Sequence, residues 1–294
     1  MTRAGDRLLV TGATGMIGGY VVDALVERGA RLTAMVRPTS DVAGLIGRPG
    51  IDVIEGDFDD PASLAAALRG IERAFLVTNS SERTEAQQLA FVAAARAAGV
   101  ARLVKLSQLH AADDSPVRFL RYHAAVEAAI EASAIPHTII RPNLILQAFL
   151  ALAPVIRAGV LPIPIGPTAR VSVVDARDIA SVAVAALTEP GHAGQTYDVT
   201  GPEALTHGDI AEGLSQATDH EVRFVPVPTE TFVDSVRQTG MPAWQADGLA
   251  EDYAHYDRGE AAVVSPDVER VTGRPARSLR EFVTDYAAVF RAES

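Results

Sequence analysis

The chain has 294 residues, of which 48% are hydrophobic, and its formal net charge at pH 7 is -11. Its length suits one large domain or a domain with an added lobe, and its acidic balance argues against general binding to nucleic acid or anionic membranes. The sequence contains no cysteine, which excludes disulfides, thiolate catalysis and cysteine-bound metals.

The chain shows no sign of a targeting or membrane segment. Residues 1–6 lead directly into a predicted strand, so we expect no signal peptide. The longest apolar stretch, 144–156, is interrupted by Gln147 and Pro154 and is too short to span a bilayer. We therefore expect a cytoplasmic protein with a small-molecule substrate, without a nucleic-acid or membrane partner, as a monomer or a homodimer.

Strand and helix patterns alternate along the first two thirds of the chain, which predicts βαβ units and a parallel sheet. The predicted strands are 7–11, 32–36, 51–55, 74–78, 103–107, 138–141 and 196–200. The predicted helices between them are 17–28, 62–68, 84–98, 116–133 and 178–187. Beyond residue 201 we predict a strand at 221–227 and helices at 206–217, 231–239, 242–256 and 279–291.

These patterns indicate an α/β fold built on a doubly wound parallel Rossmann sheet. We assign residues 1–200 to an NAD(P)-binding Rossmann domain. We assign residues 201–294 to a smaller C-terminal α/β lobe that binds substrate and is interleaved with segment 144–175.

The turn after the first strand carries Gly12, Gly15 and Gly18 in the spacing G-x-x-G-x-x-G. Glycines there let the backbone approach a dinucleotide pyrophosphate, and the next helix offers free N–H groups and a positive dipole end. The predicted contact residues are Gly12, Thr14, Gly15, Met16, Ile17 and Gly18.

The second predicted strand is followed by Arg37, where NAD-preferring folds usually place an acidic residue that binds the adenosine ribose. A guanidinium suits a 2′-phosphate by charge and by its forked geometry. We therefore predict NADPH as the cofactor, with NADH less favoured. The alternative is an arginine on a solvated loop.

Further cofactor contacts are predicted after the third and fourth strands, at the carboxyl edge where such sheets bind ligands. Asp57 suits the adenine amino group and Phe58 suits packing on the adenine ring, although Asp57 is equally suited to a turn before Asp59. Thr78 and Asn79 are expected to line the cofactor groove.

Together the motifs resemble the atypical short-chain dehydrogenase/reductase superfamily, most closely its NmrA-like branch of NAD(P)H:quinone oxidoreductases and redox-sensing regulators. The likeness covers nearly the whole chain, although the C-terminal third is only generally similar. The matching segments are 11–19, 56–57, 105–107, 123–127, 139–143, 175–180 and 197–202.

The resemblance also implies site residues. It implies cofactor contacts from Ser107, His123 and Pro142, and a loop at 141–143 that faces the nicotinamide, with Asn143 toward the substrate. Arg141 is expected to fix the structure through an acidic partner such as Glu127 or Asp178.

One departure from the superfamily bears on the mechanism. The main short-chain reductases use a Tyr-x-x-x-Lys pair after the fifth strand, but the only lysine of this chain is Lys105, on that strand. Alignment on the resemblance puts Phe119 at the tyrosine position and His123 at the lysine position. His123 is the candidate to bond the ribose or donate a proton, or is only a polar residue at the groove edge. Tyr122 is the second candidate acid.

The missing pair constrains the substrate. Hydride transfer to a simple ketone creates an alkoxide that needs a nearby acid, whereas a quinone gives a resonance-stabilised anion. We therefore predict an oxidoreductase that reduces a quinone-like or other conjugated small molecule. The alternatives are an NADP(H)-sensing regulator without turnover and a tailoring reductase of secondary metabolism.

Trp244 is predicted either to cover an apolar substrate pocket or to be ordinary core. The scattered histidines predict no metal site.

Overall fold

Residues 7–291 are described by a computed structural model. The strands are β1 (Leu8–Val10), β2 (Leu32–Val36), β3 (Ile51–Glu55), β4 (Arg73–Leu76), β5 (Arg102–Leu106), β6 (His137–Pro142), β7 (Val160–Ile163), β8 (Arg170–Val171), β9 (Gln195–Val199), β10 (Leu205–Thr206) and β11 (Arg223–Pro226).

Helices connect most of these strands and form most of the C-terminal third. They are α1 (Met16–Glu27), α2 (Pro61–Ala67), α3 (Thr84–Ala97), α4 (Arg118–Ser133), α5 (Ala153–Arg157), α6 (Ala176–Thr188), α7 (His207–Thr218), α8 (Thr229–Gln238), α9 (Ala243–Asp257), α10 (Asp267–Thr272), α11 (Leu279–Asp285) and α12 (Ala287–Phe290). A 3-10 helix covers Leu146–Leu152. No helix within residues 7–291 combines the length and apolar character that a membrane crossing requires.

The central sheet has seven strands in the order β3-β2-β1-β4-β5-β6-β9. Neighbouring strands from β3 to β6 pair in parallel. The order reverses between β1 and β4, and such a switch point opens a crevice for ligands at the carboxyl ends of the strands. The predicted doubly wound α/β sheet is therefore confirmed.

Local sequence signals explain several boundaries. The Asp60 carboxylate caps α2 by accepting the Ala62 N–H at 2.9 Å, and Pro61 starts the helix. The left-handed Gly99, with φ of 73°, follows the end of α3. Each predicted strand of the central sheet lies within two residues of the observed bounds.

Other boundaries differ from the predicted ones. The single helix predicted at 279–291 is wrong, because Tyr286 leaves helical geometry at φ −106° and separates α11 from α12. The Tyr286 ring packs 4.9 Å from the Phe282 ring and under the Arg177 guanidinium, contacts that local sequence does not reveal. The 3-10 helix and the short elements β7, β8, β10, α5 and α10 were not predicted.

The chain divides into two compact units. The first comprises the described part of Met1–Asp114 with Leu120–Arg141 and Ile179–Tyr197. Its core includes Leu9, Phe91 and Val126. The second comprises Ser115–Phe119, Pro142–Asp178 and the described part of Asp198–Ser294, and its core includes Phe149, Ile163, Leu214 and Phe282. The second unit carries two small sheets, β8 with β10 and β7 with β11.

Helix α7 of the second unit begins with a buried histidine that has no hydrogen-bond partner. Thr206 and Asp209 form a capping box that starts the helix. His207, its first residue, is fully buried, and neither ring nitrogen has a partner among the described residues. Its ring lies 5.8–6.0 Å from those of Phe149, Phe224 and Tyr253. Burial lowers the pKa of His207 to about 4.

We expect His207→Phe to make the protein more resistant to acid. Between its unfolded pKa near 6.5 and its folded pKa of about 4, His207 takes up a proton mainly in the unfolded state, so stability falls as the pH falls through that window. The difference corresponds to roughly 2–4 kcal/mol lost by pH 4. Thermal unfolding of wild type and variant from pH 7.5 to 4 measures the effect.

The matched control is His110→Asn, since His110 is exposed and its left-handed backbone, φ 64°, suits asparagine. This control should keep the acid sensitivity of the wild type. Parallel stability curves for His207→Phe and wild type would contradict the prediction.

Candidate functional site

The glycine turn after β1 is held in a shape that requires its glycines. Gly12 has a left-handed backbone with φ of 59°. A Cβ on Gly18 would lie 2.1 Å from the Gly12 carbonyl oxygen, so any larger residue would force the turn and α1 apart. The Thr11 hydroxyl ties the end of β1 to the strand beside it by donating to the Val77 carbonyl at 2.9 Å.

The start of α1 is free to bind an anion. Its N-cap is Gly15, which has no side-chain oxygen to satisfy the first N–H groups, and the first turn has no acidic residue. Thr14, Gly15 and Met16 are exposed, whereas Ile17 and Gly18 are buried. The turn and helix therefore fit a dinucleotide pyrophosphate, as the spacing predicts. Beside them lies a cavity of about 220 Å³ whose lining includes Thr14, Gly15 and Arg48.

Arg37 stands at the carboxyl end of β2 with its side chain available. The residue is exposed, and within residues 7–291 its guanidinium forms neither an ion pair nor a hydrogen bond. By contrast, Arg48, in the loop that follows, is paired with Asp23 at 2.8 Å. An unpaired guanidinium at this edge suits a phosphate group.

The residues predicted to hold the adenine are partly engaged within the protein. Asp57 Oδ1 accepts the Asp59 N–H at 2.9 Å, which is the turn role that the sequence left open. The Phe58 ring is half-buried and packs 5.7 Å from the Phe91 ring at the edge of the first core. Both residues keep part of their surface at the carboxyl edge of the sheet.

The segment after β4 carries polar groups at the same edge. The Thr78 hydroxyl accepts the Gln88 amide at 2.8 Å, and Asn79 is exposed with its carbonyl bonded to Thr84. Ser80, one residue further, shares a hydrogen bond of 3.0 Å with the Tyr122 hydroxyl of α4. Tyr122 therefore reaches the edge of the sheet, with its ring 4.2 Å from the His123 ring.

A buried carboxylate joins β5, α4 and β6. Glu127 accepts hydrogen bonds from the Ser107 hydroxyl and from two nitrogens of the Arg141 guanidinium. Of the two partners expected for Arg141, the structure selects Glu127. Asp178 pairs with Arg277 instead. Ser107 donates its hydroxyl to Glu127, and Glu127 lies one helical turn after His123 on α4.

The only lysine of the chain contacts the predicted catalytic histidine. Lys105 is fully buried, and its Nζ lies 2.8 Å from His123 Nδ1 and 3.2 Å from the Leu106 carbonyl oxygen. Burial and the positive charge of Arg141 lower the pKa of Lys105 to about 7, and the negative charge of Glu127 opposes this shift. Burial and the nearby Lys105 and Arg141 charges hold the pKa of His123 well below its ordinary value.

Sequence reasoning placed Lys105 on the fifth strand but missed this contact. Only two facts in the sequence pointed to it. The residue is the sole lysine, and it lies inside a predicted buried strand. Neither reveals which side chain of α4 faces the ammonium group.

The residues predicted near the substrate lie in the second unit. The Asn143 side-chain amide donates to Ser172 and to the Ala261 carbonyl, each at 2.8 Å, so it organises the backbone around it. Pro142 precedes it and is buried. The Trp244 ring is half-buried, 5.4 Å from the Phe119 ring.

Phe119, at the position where the superfamily has its tyrosine, is a packing residue here. Its ring occupies the space left by Gly248, where a Cβ would lie 2.3 Å from it. Among the described residues, no group of three His, Asp or Glu side chains is arranged to hold a metal ion.

Comparison with known proteins agrees with this architecture. The sequence model of a family described as the NmrA-like family matches residues 4–288. The chain is 38% identical to an NAD(P)H azoreductase of Xenophilus azovorans, over 97% of this chain and 99% of the relative. It is also 38% identical to a (4-alkanoyl-5-oxo-2,5-dihydrofuran-3-yl)methyl phosphate reductase of Streptomyces griseus, over 97% and 100%.

A solved structure gives the same picture. The NADPH-dependent quinone oxidoreductase QOR2 of Escherichia coli, in complex with NADPH, is 29% identical and superposes with a TM-score of 0.85. The match covers 95% of this chain and 99% of that chain.

We expect Gly15→Val to abolish dinucleotide binding and leave a folded protein. The Gly15 backbone is extended, with φ −88° and ψ 172°, which valine adopts readily. A valine side chain at the N-cap would occupy the space in front of the free N–H groups. Calorimetric titration with NADPH, with circular dichroism to monitor folding, measures both effects.

The control is Ala97→Val, at an exposed position in the last turn of α3. It should bind the nucleotide as the wild type does. Normal binding by Gly15→Val would show that the turn is not the pyrophosphate site.

Proposed function

Because the chain belongs to the NmrA-like family, we propose that it is an NADPH-dependent oxidoreductase that reduces a conjugated small molecule, such as a quinone, by hydride transfer. The observation that carries this proposal is the residue at the position where the superfamily has its proton-donating tyrosine. The chain has no Tyr-x-x-x-Lys pair, and Phe119, at the tyrosine position, is packed against Trp244. An acceptor that survives as an anion after hydride transfer suits such a site.

The residues of the first unit fit NADPH. The uncapped start of α1 and the turn at Gly12 and Gly15 would hold the pyrophosphate, and Arg37 would hold the 2′-phosphate. Asp57, Phe58, Thr78 and Asn79 lie at the carboxyl edge, where they would contact the remaining nucleotide. When bound, the cofactor supplies the hydride.

Side chains on β5 and α4 would serve the reacting end. His123 is held by Lys105 on one ring nitrogen and leaves the other available to the cofactor ribose or to the acceptor. Tyr122 and Ser80 form a hydrogen-bonded pair beside it. The proposal also keeps the cofactor contact predicted for Pro142 and the substrate contacts predicted for Asn143 and Trp244. We also propose that the protein is cytoplasmic and is a monomer or a homodimer.

The relatives support the substrate class. Their names refer to azo compounds, to quinones and to an alkanoyl-oxo-dihydrofuran phosphate, all of them conjugated small molecules. A conjugated acceptor spreads the incoming electron pair over several atoms, so protonation need not accompany hydride transfer.

We expect wild-type protein to bind NADPH more tightly than NADH, and Arg37→Ala to remove most of that preference. A charge-assisted contact with the 2′-phosphate contributes about 1.5–3 kcal/mol, or roughly ten- to a hundredfold in affinity. Fluorescence titration with both nucleotides measures the ratio.

The control is Arg31→Ala, which removes an exposed arginine just before the opposite end of β2. It should keep the wild-type ratio. Equal affinities of the wild type for NADPH and NADH would refute the role of Arg37.

We expect the protein to oxidise NADPH with conjugated acceptors and to leave unactivated ketones unreduced. The panel contains a benzoquinone, an azo dye, an alkanoyl-oxo-dihydrofuran phosphate and cyclohexanone, and the decrease in NADPH absorbance measures turnover. An alkoxide needs an acid at the carbonyl oxygen, which Phe119 lacks. Equal rates with cyclohexanone and the quinone would contradict the proposal. Tight NADPH binding with no turnover by any acceptor would favour the sensor.

A further inference from the structure

We propose that Lys105 and His123 form a proton relay, in which the His123 imidazole gives a proton to the reduced acceptor and the Lys105 ammonium replaces it. The inference deepens the proposed function, because it names the group that protonates the product anion after hydride transfer is complete. A resonance-stabilised anion persists until that step, whereas an alkoxide needs its acid during hydride transfer. It assigns a role to a buried lysine that no step described so far requires.

The contact between the two side chains fixes the direction of the relay. An ammonium group has only donors, so when Lys105 is charged, His123 Nδ1 must accept from Nζ at 2.8 Å. The neutral imidazole then carries its proton on Nε2. Nε2 has no hydrogen-bond partner within residues 7–291, yet it is not among the fully buried polar atoms without a partner. The proton-bearing nitrogen is therefore open to a ligand.

The charges around the pair suit a group that exchanges protons near neutral pH. Lys105 faces Glu127 and His123 on α4 and is close enough to Arg141 on β6 to be affected by its charge, while Tyr122 lies beside His123. Glu127 is itself bound by Ser107 and Arg141, so it does not form a simple ion pair with the lysine. The pKa of Lys105 is lowered to about 7, which leaves both protonation states populated near neutral pH.

Composition also argues that the amine is required at this position. Of the 26 lysine and arginine residues, Lys105 alone is lysine. Arginine keeps its proton at every accessible pH, whereas a buried lysine gives it up readily. Burying an amine destabilises the folded chain relative to an apolar side chain of similar length. A purely structural site would thus favour methionine or leucine.

The proton transfers balance. Hydride addition leaves the acceptor with one negative charge on oxygen or nitrogen. The Nε2–H bond breaks as the new O–H or N–H bond forms, and a proton passes from Lys105 Nζ to Nδ1. The products are a neutral reduced acceptor, a neutral lysine and the Nδ1–H tautomer of His123. Reprotonation of Lys105 from solvent and return of the tautomer restore the site.

A single lysine makes the relay directly measurable. Protein labelled with ¹⁵N-lysine gives one Nζ resonance, which we expect to titrate with a midpoint near pH 7. Histidine ¹⁵N shifts should place the His123 proton on Nε2 below that midpoint. In Lys105→Met this tautomer preference should weaken. An Nζ midpoint near 10, or a His123 proton on Nδ1 throughout, would overturn the relay.

Turnover supplies the second measurement. With a quinone at saturating NADPH, wild-type kcat should fall as the pH rises through 7, because the relay then lacks its proton. Lys105→Met should lose this pH dependence and be slower at pH 6 by at least about tenfold, less than the hundredfold or more typical of general acid catalysis. The control is Arg258→Met, which removes an exposed arginine that directly follows α9 and pairs with Glu260. This variant should keep the wild-type profile.

The two proposals fail in different ways. Turnover with the same pH profile in wild type and Lys105→Met would overturn the relay and leave the reductase intact. Absence of turnover with every acceptor would overturn the reductase, and with it the relay's role. If Lys105→Met does not fold, the wild-type protein decides the question alone. The Nζ titration and the kcat/KM profile for the quinone, both at saturating NADPH, report the same enzyme–cofactor complex, so their midpoints must coincide.

Discussion

The arrangement of the proposed reacting end depends on one buried carboxylate. Glu127 accepts hydrogen bonds from Ser107 on the segment after β5 and from Arg141 on β6, and so fixes α4 against the sheet. Leaving a buried charge unpaired typically costs about 3–5 kcal/mol, which explains why both of its oxygens are bonded. His123 lies one helical turn before Glu127, so its position follows from this anchor.

The same anchor explains how a lysine is tolerated in the interior. Lys105 lies on β5 beside the carboxylate, whose negative charge offsets part of the destabilisation that burial causes. Arg141 pairs with the same carboxylate, so Glu127 stabilises the charged form of the lysine only in part. The cluster therefore combines an ion pair between Glu127 and Arg141 with an amine whose pKa is lowered to about 7. His123 is kept neutral, which is the state in which an imidazole both accepts and donates a proton.

The two ends of the site are built by different physical means. At the glycine turn the backbone forms the site, through the close approach at Gly12 and Gly18 and the uncapped start of α1. At the proposed reacting end side chains form the site, and their charges set the protonation states. Backbone geometry suits a cofactor shared by many reductases, whereas we propose that side-chain chemistry decides which acceptors are reduced.

The sequence alone determined the parts of this protein that rest on local patterns. The alternation of strands and helices, the G-x-x-G-x-x-G turn and the arginine after β2 each depend on neighbours in the chain, and the predicted α/β sheet followed from them. The glycine spacing also pointed to the place where the backbone admits no side chain at Gly18.

Only the tertiary structure decided which distant side chains meet. Lys105 and His123 are 18 residues apart, and their contact depends on how α4 packs on β5, which no local pattern encodes. The choice of Glu127 over Asp178 as the partner of Arg141 was settled in the same way. The break at Tyr286 accompanies the packing of its ring under the guanidinium of Arg177, a residue distant in the chain. Long-range packing selects one among several arrangements that local propensities allow equally, and that selection brings Lys105 and His123 into contact.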